Sequence, residues 1–284
     1  MKIVVAGEKG MLARDLIPML AQDHDVICPG ENRLDITDEK RVLDFIGSTK
    51  PDVVINCAAY NHVDQAETDR EAAFRVNAHG VQHLAVACDK FGSVLCHFGT
   101  DYVFDGTNTR PYRPDDEPNP ISVYGESKRA GEVYVESILP QHYYLIRTSS
   151  LYGKHGSNFV YTVLRLAESN EVLTVVDDQI MSPTWTVNLA RGVLALIESG
   201  NFGTYHLTDK TGGGITWFQF AKEILAVKGI DNKVRPVPSE QFQRPARRPA
   251  YSVLDTTLFT HRTGYEPMPW KESLKRFLLG LTQK

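Results

Sequence analysis

The fold is decided by the stretch IVVAGEKGMLA, residues 3–13, in which a β-branched run leads directly into a glycine turn and an amphipathic segment. Gly7, Gly10 and Ala13 give the turn the spacing G-x-x-G-x-x-A. Glycine lets the backbone approach a pyrophosphate closely, and a helix that begins there directs free N–H groups at the anion. A tight turn also requires glycine, so both interpretations stay open for the motif alone. Its place after the first predicted strand favours a dinucleotide site.

Short apolar runs and longer amphipathic segments alternate around this stretch. We predict strands at residues 3–6, 26–28, 53–56, 94–98, 143–146 and 171–176. We predict helices at residues 11–20, 40–46, 71–91 and 124–138. Pro18 should bend the first helix or end it early, because proline lacks a backbone donor. The alternation predicts an α/β fold with a doubly wound parallel sheet of the Rossmann type.

The alternation loosens after about residue 150. Further helices are predicted at residues 187–198, 217–227 and 270–281, and residues 235–251, rich in proline and arginine, predict an irregular basic loop. We expect residues 1–150 to form an NAD(P)-binding domain and residues 151–284 mainly a smaller C-terminal substrate-binding lobe. One strand or helix from residues 151–284 can still pack as part of the first domain. We expect a cleft between the two parts.

Composition excludes several classes of protein. The chain of 284 residues is 42% hydrophobic and 23% charged, which is ordinary for a globular protein. Its net charge of −4 argues against a nucleic-acid binder. No apolar run approaches the roughly 20 residues of a membrane span, or opens the chain with a signal peptide's core of about 7 to 15. We predict a cytoplasmic protein without nucleic-acid or membrane partners, and reduced, mostly buried cysteines at Cys28, Cys57, Cys88 and Cys96.

Tyr124 and Lys128 share one face of the helix predicted at residues 124–138. Residues at positions i and i+4 are neighbours on a helix, so the phenol and the ammonium can reach one ligand. A nearby ammonium favours the phenolate and should lower the pKa of the tyrosine toward the range of general acid catalysis. A surface pair would have the same spacing. Thr100, at the carboxyl edge of the predicted sheet, makes a catalytic site the more specific interpretation.

The residues after the second strand leave the choice between NADH and NADPH open. Glu31 suits the ribose hydroxyls of NADH and Arg33 suits the additional phosphate of NADPH, while either can be a solvated loop charge. Asp35 and Ile36 are expected to frame the adenine. Residues 57–60 end the third strand with small side chains, as a cofactor lying across the sheet edge would require.

Together these motifs resemble a known family, the extended short-chain dehydrogenases/reductases that act on nucleotide-linked sugars. The resemblance covers essentially the whole chain. Beyond the glycine turn and the Tyr124 and Lys128 pair, it is carried by NCAAY (56–60), VDQAE (63–67), Asn77 with Ala78, TDYVFDG (100–106), RTS (147–149), GSNF (156–159), DDQ (177–179), PT (183–184), RP (248–249), Ser252 and LDT (254–256).

The resemblance implies that NADPH or NADH passes a hydride to the C4 carbonyl of a nucleotide-linked keto sugar, dTDP-4-dehydro-L-rhamnose, for cell-surface polysaccharide. Tyr124 would protonate the developing alkoxide, Thr100 would hydrogen-bond the same oxygen, and Lys128 would hold the nicotinamide ribose. The cofactor-binding residues expected are Gly7, Gly10, Met11, Leu12, Arg33, Asp35, Ile36, Ala58, Ala59, Tyr60, Asn77, Tyr124 and Lys128. The substrate-binding residues expected are Thr100, Asp101, Tyr102, Ser150, Asn158 and Arg248.

Four of these positions refine the expectation. Related sugar dehydratases carry Thr-Asp-Glu, so Tyr102, which cannot act as the carboxylate base, favours plain reduction; a core aromatic is the alternative. Ser150 stands where relatives often place a tryptophan against the sugar, so the sugar contact must differ. Arg248 suits the pyrophosphate because its guanidinium is a planar, multidentate donor. Asn77 matches a family asparagine near the cofactor, with a structural cap as the alternative.

Two other functions stay in view. One is a different nucleotide-sugar reductase or epimerase, and the other is a non-catalytic NADP-binding regulatory subunit similar to that of methionine adenosyltransferase. The presence of Thr100, Tyr124 and Lys128 favours catalysis. We predict a monomer or homodimer with no essential metal.

Overall fold

The structure is a computed structural model that describes residues 1–231 and 233–281. Its strands are β1 (Lys2–Ala6), β2 (Asp25–Ile27), β3 (Val53–Asn56), β4 (Val94–Thr100), β5 (Tyr143–Thr148), β6 (Leu151–Tyr152), β7 (Val172–Val176), β8 (Ile180–Met181), β9 (Thr184–Trp185), β10 (Gly203–His206), β11 (Ile215–Thr216) and β12 (Lys233–Val237). Its α-helices are α1 (Met11–Leu20), α2 (Glu39–Thr49), α3 (Val63–Ala66), α4 (Arg70–Phe74), α5 (Gly80–Phe91), α6 (Val123–Ile138), α7 (Phe159–Ser169), α8 (Thr186–Ser199), α9 (Trp217–Lys228), α10 (Thr257–Thr263) and α11 (Trp270–Gly280).

Six parallel strands form the central sheet, in the order β10-β5-β4-β3-β1-β2. The chain crosses from β2 to the opposite side of β1 to form β3, so the strand order reverses between β1 and β3. Ligands of open parallel sheets bind outside the carboxyl ends of the strands at such a reversal. The predicted α/β fold with a Rossmann-type sheet is confirmed.

Helices cover both faces of this sheet, as its strands require because they are apolar on both sides. On one face α1 and α8 pack through residues such as Leu16 and Val193, and on the other α2, α5 and α6 pack through residues such as Phe45 and Leu84. Strand β10 and helix α8 come from the second half of the chain but extend the sheet and its first core.

A separate apolar core lies in the second half. Helices α7, α9 and α11 pack around Phe220, Trp270 and Phe277, beside the two-stranded parallel ladder of β7 and β12. Among the described residues, no helix is long and apolar enough to cross a membrane.

Most predicted elements of the first half are confirmed at nearly their predicted positions, but the long helix at residues 71–91 is wrong as one element. It consists of α4, a π-helical turn (Arg75–His79) and α5. Helix α1 continues through Pro18 to Leu20. The predicted sixth strand forms as β7 but pairs with β12, and the sixth strand of the main sheet is β10, which alternation did not predict.

Three other predictions need correction. The segment 235–251 is not irregular throughout, because β12 extends to Val237. Helices α7 and α10 were not predicted. The four cysteines are free, as expected, but Cys28 is exposed because it follows the short edge strand β2.

Candidate active site

Two adjoining cavities open at the carboxyl edge of the sheet, beside the reversal of strand order. The outer cavity, about 670 Å³, extends from the glycine turn to the residues after β2. The inner cavity, about 330 Å³, extends from the same turn to the ends of β4 and β5. Their shared wall consists of Gly10, Cys57, Ala58, Ala59 and Asn61. A single elongated ligand can therefore lie across both.

The glycine turn has the geometry of a dinucleotide cradle. Gly7 has a φ of +74°, and a Cβ there would lie 2.5 Å from the backbone nitrogen of Ala58, so no larger residue fits. Helix α1 begins after Gly10 without a side-chain cap, which leaves its first N–H groups for an anion in the cavity. These residues fit the pyrophosphate of NAD(P)H.

Some of the predicted cofactor residues line these two cavities, and others have only structural contacts. Asp35 and Ile36 line the outer cavity, as does Glu31, and Met11 and Leu12 line the inner cavity. Arg33 is not among the residues that line either; its guanidinium lies 5.4 Å from the centroid of the Phe45 ring. Positive charge in the outer cavity comes instead from Lys9 and Arg75, which the sequence motifs did not single out.

Asn77 and Tyr60 contact each other rather than the cavities. The Asn77 side chain accepts a hydrogen bond from the Tyr60 N–H at 2.9 Å and donates one to the Tyr60 carbonyl at 3.0 Å. It also donates to Ser127 on α6 at 3.0 Å. The π-helical turn thus places Asn77 so that it ties the segment after β3 to the helix that carries Tyr124.

The start of α6 positions the predicted acid. Ser122 caps the helix by accepting a hydrogen bond from the Gly125 N–H at 3.2 Å, which places Tyr124 in the first turn and Lys128 in the second. The Thr100 hydroxyl lies close enough to the Tyr124 phenol to lower the pKa of the phenol slightly. The Lys128 ammonium donates to the Phe98 carbonyl at 2.6 Å. Thr100, Tyr124 and Lys128 all line the inner cavity.

The expected effect of Lys128 on Tyr124 is wrong for this structure. Burial raises the pKa of Tyr124 to about 12, against a smaller lowering effect from Thr100, because a phenolate would lack water there. Lys128 does not offset this, since its ammonium is directed at Phe98 in β4. Tyr124 is therefore a protonated phenol at neutral pH, which is the state that a proton donor requires.

Lys128 is itself a buried charge with a buried partner. Burial lowers the pKa of Lys128 to about 8, and the carboxylate of Glu132, one turn further along α6, opposes that shift. Glu132 is completely buried and forms ion pairs with Arg147 at 3.0 Å and Arg129 at 3.2 Å. Gly99 makes room for it, because any side chain there would collide with the carboxylate. Sequence spacing gave no signal for this pairing, since Arg147 lies on another element.

Asp101 lies behind Thr100. Its carboxylate accepts hydrogen bonds from the Thr100 hydroxyl at 3.2 Å and the Ser149 hydroxyl at 2.7 Å. Burial raises the pKa of Asp101 to about 6, although these hydroxyls and Ser252 oppose the rise. The carboxylate therefore orients the hydroxyl that contacts Tyr124.

The other predicted substrate residues have different surroundings. Ser150 lines the inner cavity in a strained backbone conformation with a φ of +49°. The Tyr102 ring meets the Tyr124 ring edge to face at 6.0 Å. Asn158 serves the fold, because it caps α7 by accepting from the Tyr161 N–H at 3.2 Å and donates to the Gly153 carbonyl at 2.9 Å.

A third cavity, which we name the lobe cavity, lies beyond Tyr102 in the second half of the chain. It measures about 480 Å³. Its walls combine the aromatic rings of Tyr102, Phe159, Trp217 and Phe242 with Gln179, Arg244 and Arg248. Trp217 and Phe242 belong to no motif, so the sequence gave no signal for them. The described residues include no group of three or more His, Cys, Asp or Glu side chains placed to hold a metal ion.

A parallel sheet with a glycine cradle at its reversal, and a threonine, tyrosine and lysine beside it, defines an NAD(P)-dependent oxidoreductase of the short-chain dehydrogenase/reductase type. Comparison with known proteins identifies the family. The model described as "RmlD substrate binding domain" matches residues 1–282. A dTDP-4-dehydrorhamnose reductase from Streptomyces griseus is 43% identical over 95% of this chain and 91% of its own length. The chain belongs to this family of reductases.

Solved structures of similar proteins support the same family assignment. A dTDP-4-dehydrorhamnose reductase from Clostridium acetobutylicum superposes with a TM-score of 0.96 and 43% identity, covering 100% of both chains. The enzyme of the same name from Bacillus anthracis, solved in complex with NADP, has a TM-score of 0.93 and 38% identity and covers 98% of this chain and 99% of its own.

Proposed function

We propose that the protein reduces the C4 carbonyl of dTDP-4-dehydro-L-rhamnose with NADPH or NADH, giving dTDP-L-rhamnose for cell-surface polysaccharide. The observation that carries this proposal is the convergence of Thr100, Tyr124 and Lys128 on a cavity that continues into the glycine cradle. Such a convergence supports a role for Tyr124 as proton donor beside a nicotinamide bound in this cavity. The names of the similar reductases support the same substrate class.

The chain's own residues perform the proton chemistry. Bound NADPH or NADH supplies the hydride. Tyr124 donates its phenolic proton to the carbonyl oxygen as negative charge develops there. The Thr100 hydroxyl, whose single proton is donated to Asp101 in the structure, turns that proton to the same oxygen when substrate is bound. Lys128 holds a positive charge close to the reacting groups. Because the ammonium is buried, the low dielectric around it strengthens its attraction for the negative charge that develops on the carbonyl oxygen.

The lobe cavity is suited to the nucleotide of the substrate. Phe159 and Trp217, whose ring centroids are 4.6 Å apart, offer apolar faces for a base. Arg248 offers a multidentate donor for the diphosphate. Tyr102 lines that cavity and its ring contacts Tyr124, which supports binding of the sugar at the inner cavity.

The test is to offer dTDP-4-dehydro-L-rhamnose with NADPH and separately with NADH, and to follow loss of absorbance of the reduced cofactor. We expect turnover with at least one cofactor, and dTDP-L-rhamnose as the product. Cofactor binding without turnover would overturn the reductase and favour a regulatory NADP-binding protein. Isomerised product without net cofactor oxidation would favour an epimerase.

Two further parts of the proposal concern the protein's surroundings. We propose that it acts in the cytoplasm as a monomer or homodimer. Light scattering of the purified chain measures the second of these directly.

A further inference from the structure

The short helix α3 lies between the lobe cavity and the start of α6. The segment VDQAE (63–67), which consists of α3 and the residue that caps its C-terminus, contains two carboxylates one helical turn apart, Asp64 and Glu67. The proposed reaction assigns neither of them a role. Both are hydrogen-bonded to groups beside the site, and they face different parts of it.

Asp64 contacts the loop that carries the diphosphate-binding candidate. Its two oxygens accept hydrogen bonds from Nη1 and Nη2 of Arg248, at 3.0 Å and 2.9 Å. It also accepts from the Ala246 N–H at 3.3 Å and lies 3.6 Å from Arg244. The two partners are 184 positions apart in sequence, so this contact ties the second half of the chain to the first.

The pairing orients the guanidinium. Three of the five N–H groups of Arg248 are directed at Asp64 and at the Ala246 carbonyl. The N–H groups that remain, on Nε and Nη2, can serve a ligand in the lobe cavity, which Arg248 and Tyr102 both line, and the guanidinium interacts electrostatically with the Tyr102 hydroxyl. The Tyr102 ring in turn contacts Tyr124. Asp64 is thereby connected to the proton donor through two side chains.

Glu67 contacts the catalytic helix directly. Its Oε1 accepts a hydrogen bond from the Val123 N–H at 2.9 Å. Val123 is the first residue of α6 and immediately precedes Tyr124. An N–H in the first turn has no partner within its own helix, so Glu67 supplies the acceptor that fixes this end of α6.

We propose that α3 is a positioning element with two separable functions: Asp64 orients Arg248 for the substrate's diphosphate, and Glu67 fixes the start of α6 and so the place of Tyr124. The inference rests on the proposed reductase function. Neither carboxylate reaches the reacting atoms, so both act through other residues. Loss of Asp64 should weaken substrate binding, and loss of Glu67 should slow the chemical step.

The test measures kcat and KM for the nucleotide sugar in three variants. Asp64→Asn should raise KM roughly tenfold and change kcat less than about threefold, because a pre-oriented donor is lost. Glu67→Ala should lower kcat roughly tenfold with KM nearly unchanged, because the proton donor is displaced. Glu67→Gln should restore kcat, since an amide oxygen can still accept the Val123 hydrogen bond.

Calorimetry with dTDP alone provides a readout that needs no turnover. Asp64→Asn should weaken dTDP binding by a similar factor, while Glu67→Ala should leave it unchanged. NADPH affinity should be normal in both, which verifies folding. Asp44→Asn, in an exposed ion pair with Lys40, is the matched control and should match the wild type in every measurement.

A fall in KM or tighter dTDP binding in Asp64→Asn would overturn the proposal, because it would mean that Asp64 only competes with the diphosphate for Arg248. Equal effects of Asp64→Asn and Glu67→Ala on both constants would also overturn it. A wild type that binds dTDP but has no turnover would contradict the proposed reaction and leave the Asp64 arm testable by calorimetry.

Discussion

The inner cavity and the lobe cavity lie on the two sides of the contact between Tyr124, which lines the first, and Tyr102, which lines the second, but they are built in opposite ways. The reacting groups of the inner cavity lie at the end of β4 and on the first two turns of α6, where Thr100 is 7% exposed and Lys128 is 3% exposed. The lobe cavity is bounded by α7, β7, α9 and the loop after β12, and its Phe242 is 38% exposed. The proposed function thus assigns the chemistry to buried helix and strand ends, and recognition of the larger part of the substrate to a more open surface.

Removal of the proton donor should have the largest effect. We expect Tyr124→Phe to lower kcat by about 100-fold or more with little change in KM, because the phenol acts only as charge develops on the carbonyl oxygen. Steady-state rates at saturating substrate measure this. A rate within threefold of the wild type would show that another group supplies the proton and would break the contrast between the two cavities.

The pH profile tests the buried ammonium. Because the pKa of Lys128 is lowered to about 8, its positive charge is present below that pH and lost above it. We expect kcat/KM for NADPH, which reports the free enzyme, to fall about tenfold between pH 7 and pH 9. Lys128→Met should have a lower value without this decline. A decline of the same midpoint in Lys128→Met would assign the titration to another group.

A substitution in the lobe cavity should have a smaller effect, and on KM rather than on kcat. Phe242→Ala should raise KM for the nucleotide sugar about fivefold and leave kcat nearly unchanged, because an aromatic contact is worth about 0.5–1.5 kcal/mol beyond its area. Phe202→Ala is the control, since Phe202 is similarly exposed at 41% but lies away from the lobe cavity. An effect on kcat alone would show that Phe242 belongs to the reacting site.

A buried carboxylate at the junction of the two cores should affect stability rather than rate. Burial raises the pKa of Asp209 to about 7, although Asn188, Trp185 and Tyr152 donate hydrogen bonds to its carboxylate. Between about pH 4 and pH 7 the unfolded chain ionises here before the folded one, so the free energy of unfolding falls as pH rises, by a few kcal/mol at most. Asp209→Asn should be less stable at pH 5 but show a shallower decline to pH 8. Denaturant titrations at both pH values check this, and an unchanged slope would contradict it.

The fold and half of the site follow from local patterns in the sequence. The Gly7 to Gly10 turn and the Tyr124 and Lys128 pair are close in sequence, and the geometry of a strand end or a helix turn determines where such residues lie. Alternation predicted the first five strands of the sheet for the same reason. It did not predict β10, because that four-residue strand follows a helix of the second half and pairs with β5.

The lobe cavity and the ionic contacts could not be read from spacing. Trp217 and Phe242 become neighbours only when α9 and the loop after β12 pack against α7 and β7. Arg33 was a candidate for cofactor phosphate, yet it lies against Phe45, while Lys9 and Arg75 contribute the positive charge of the outer cavity. Which charges face a ligand depends on side-chain packing rather than on order along the chain.

By itself, the sequence determined the α/β class, the cofactor turn and the identity of the Thr100, Tyr124 and Lys128 group, because these depend on local backbone geometry. Only the tertiary structure decided the electrostatics of that group. Burial raises the pKa of Tyr124 to about 12, contrary to the expectation from spacing alone, and lowers that of Lys128 to about 8. The physical reason is that desolvation, and partners such as Arg147 for Glu132, come from segments distant in sequence.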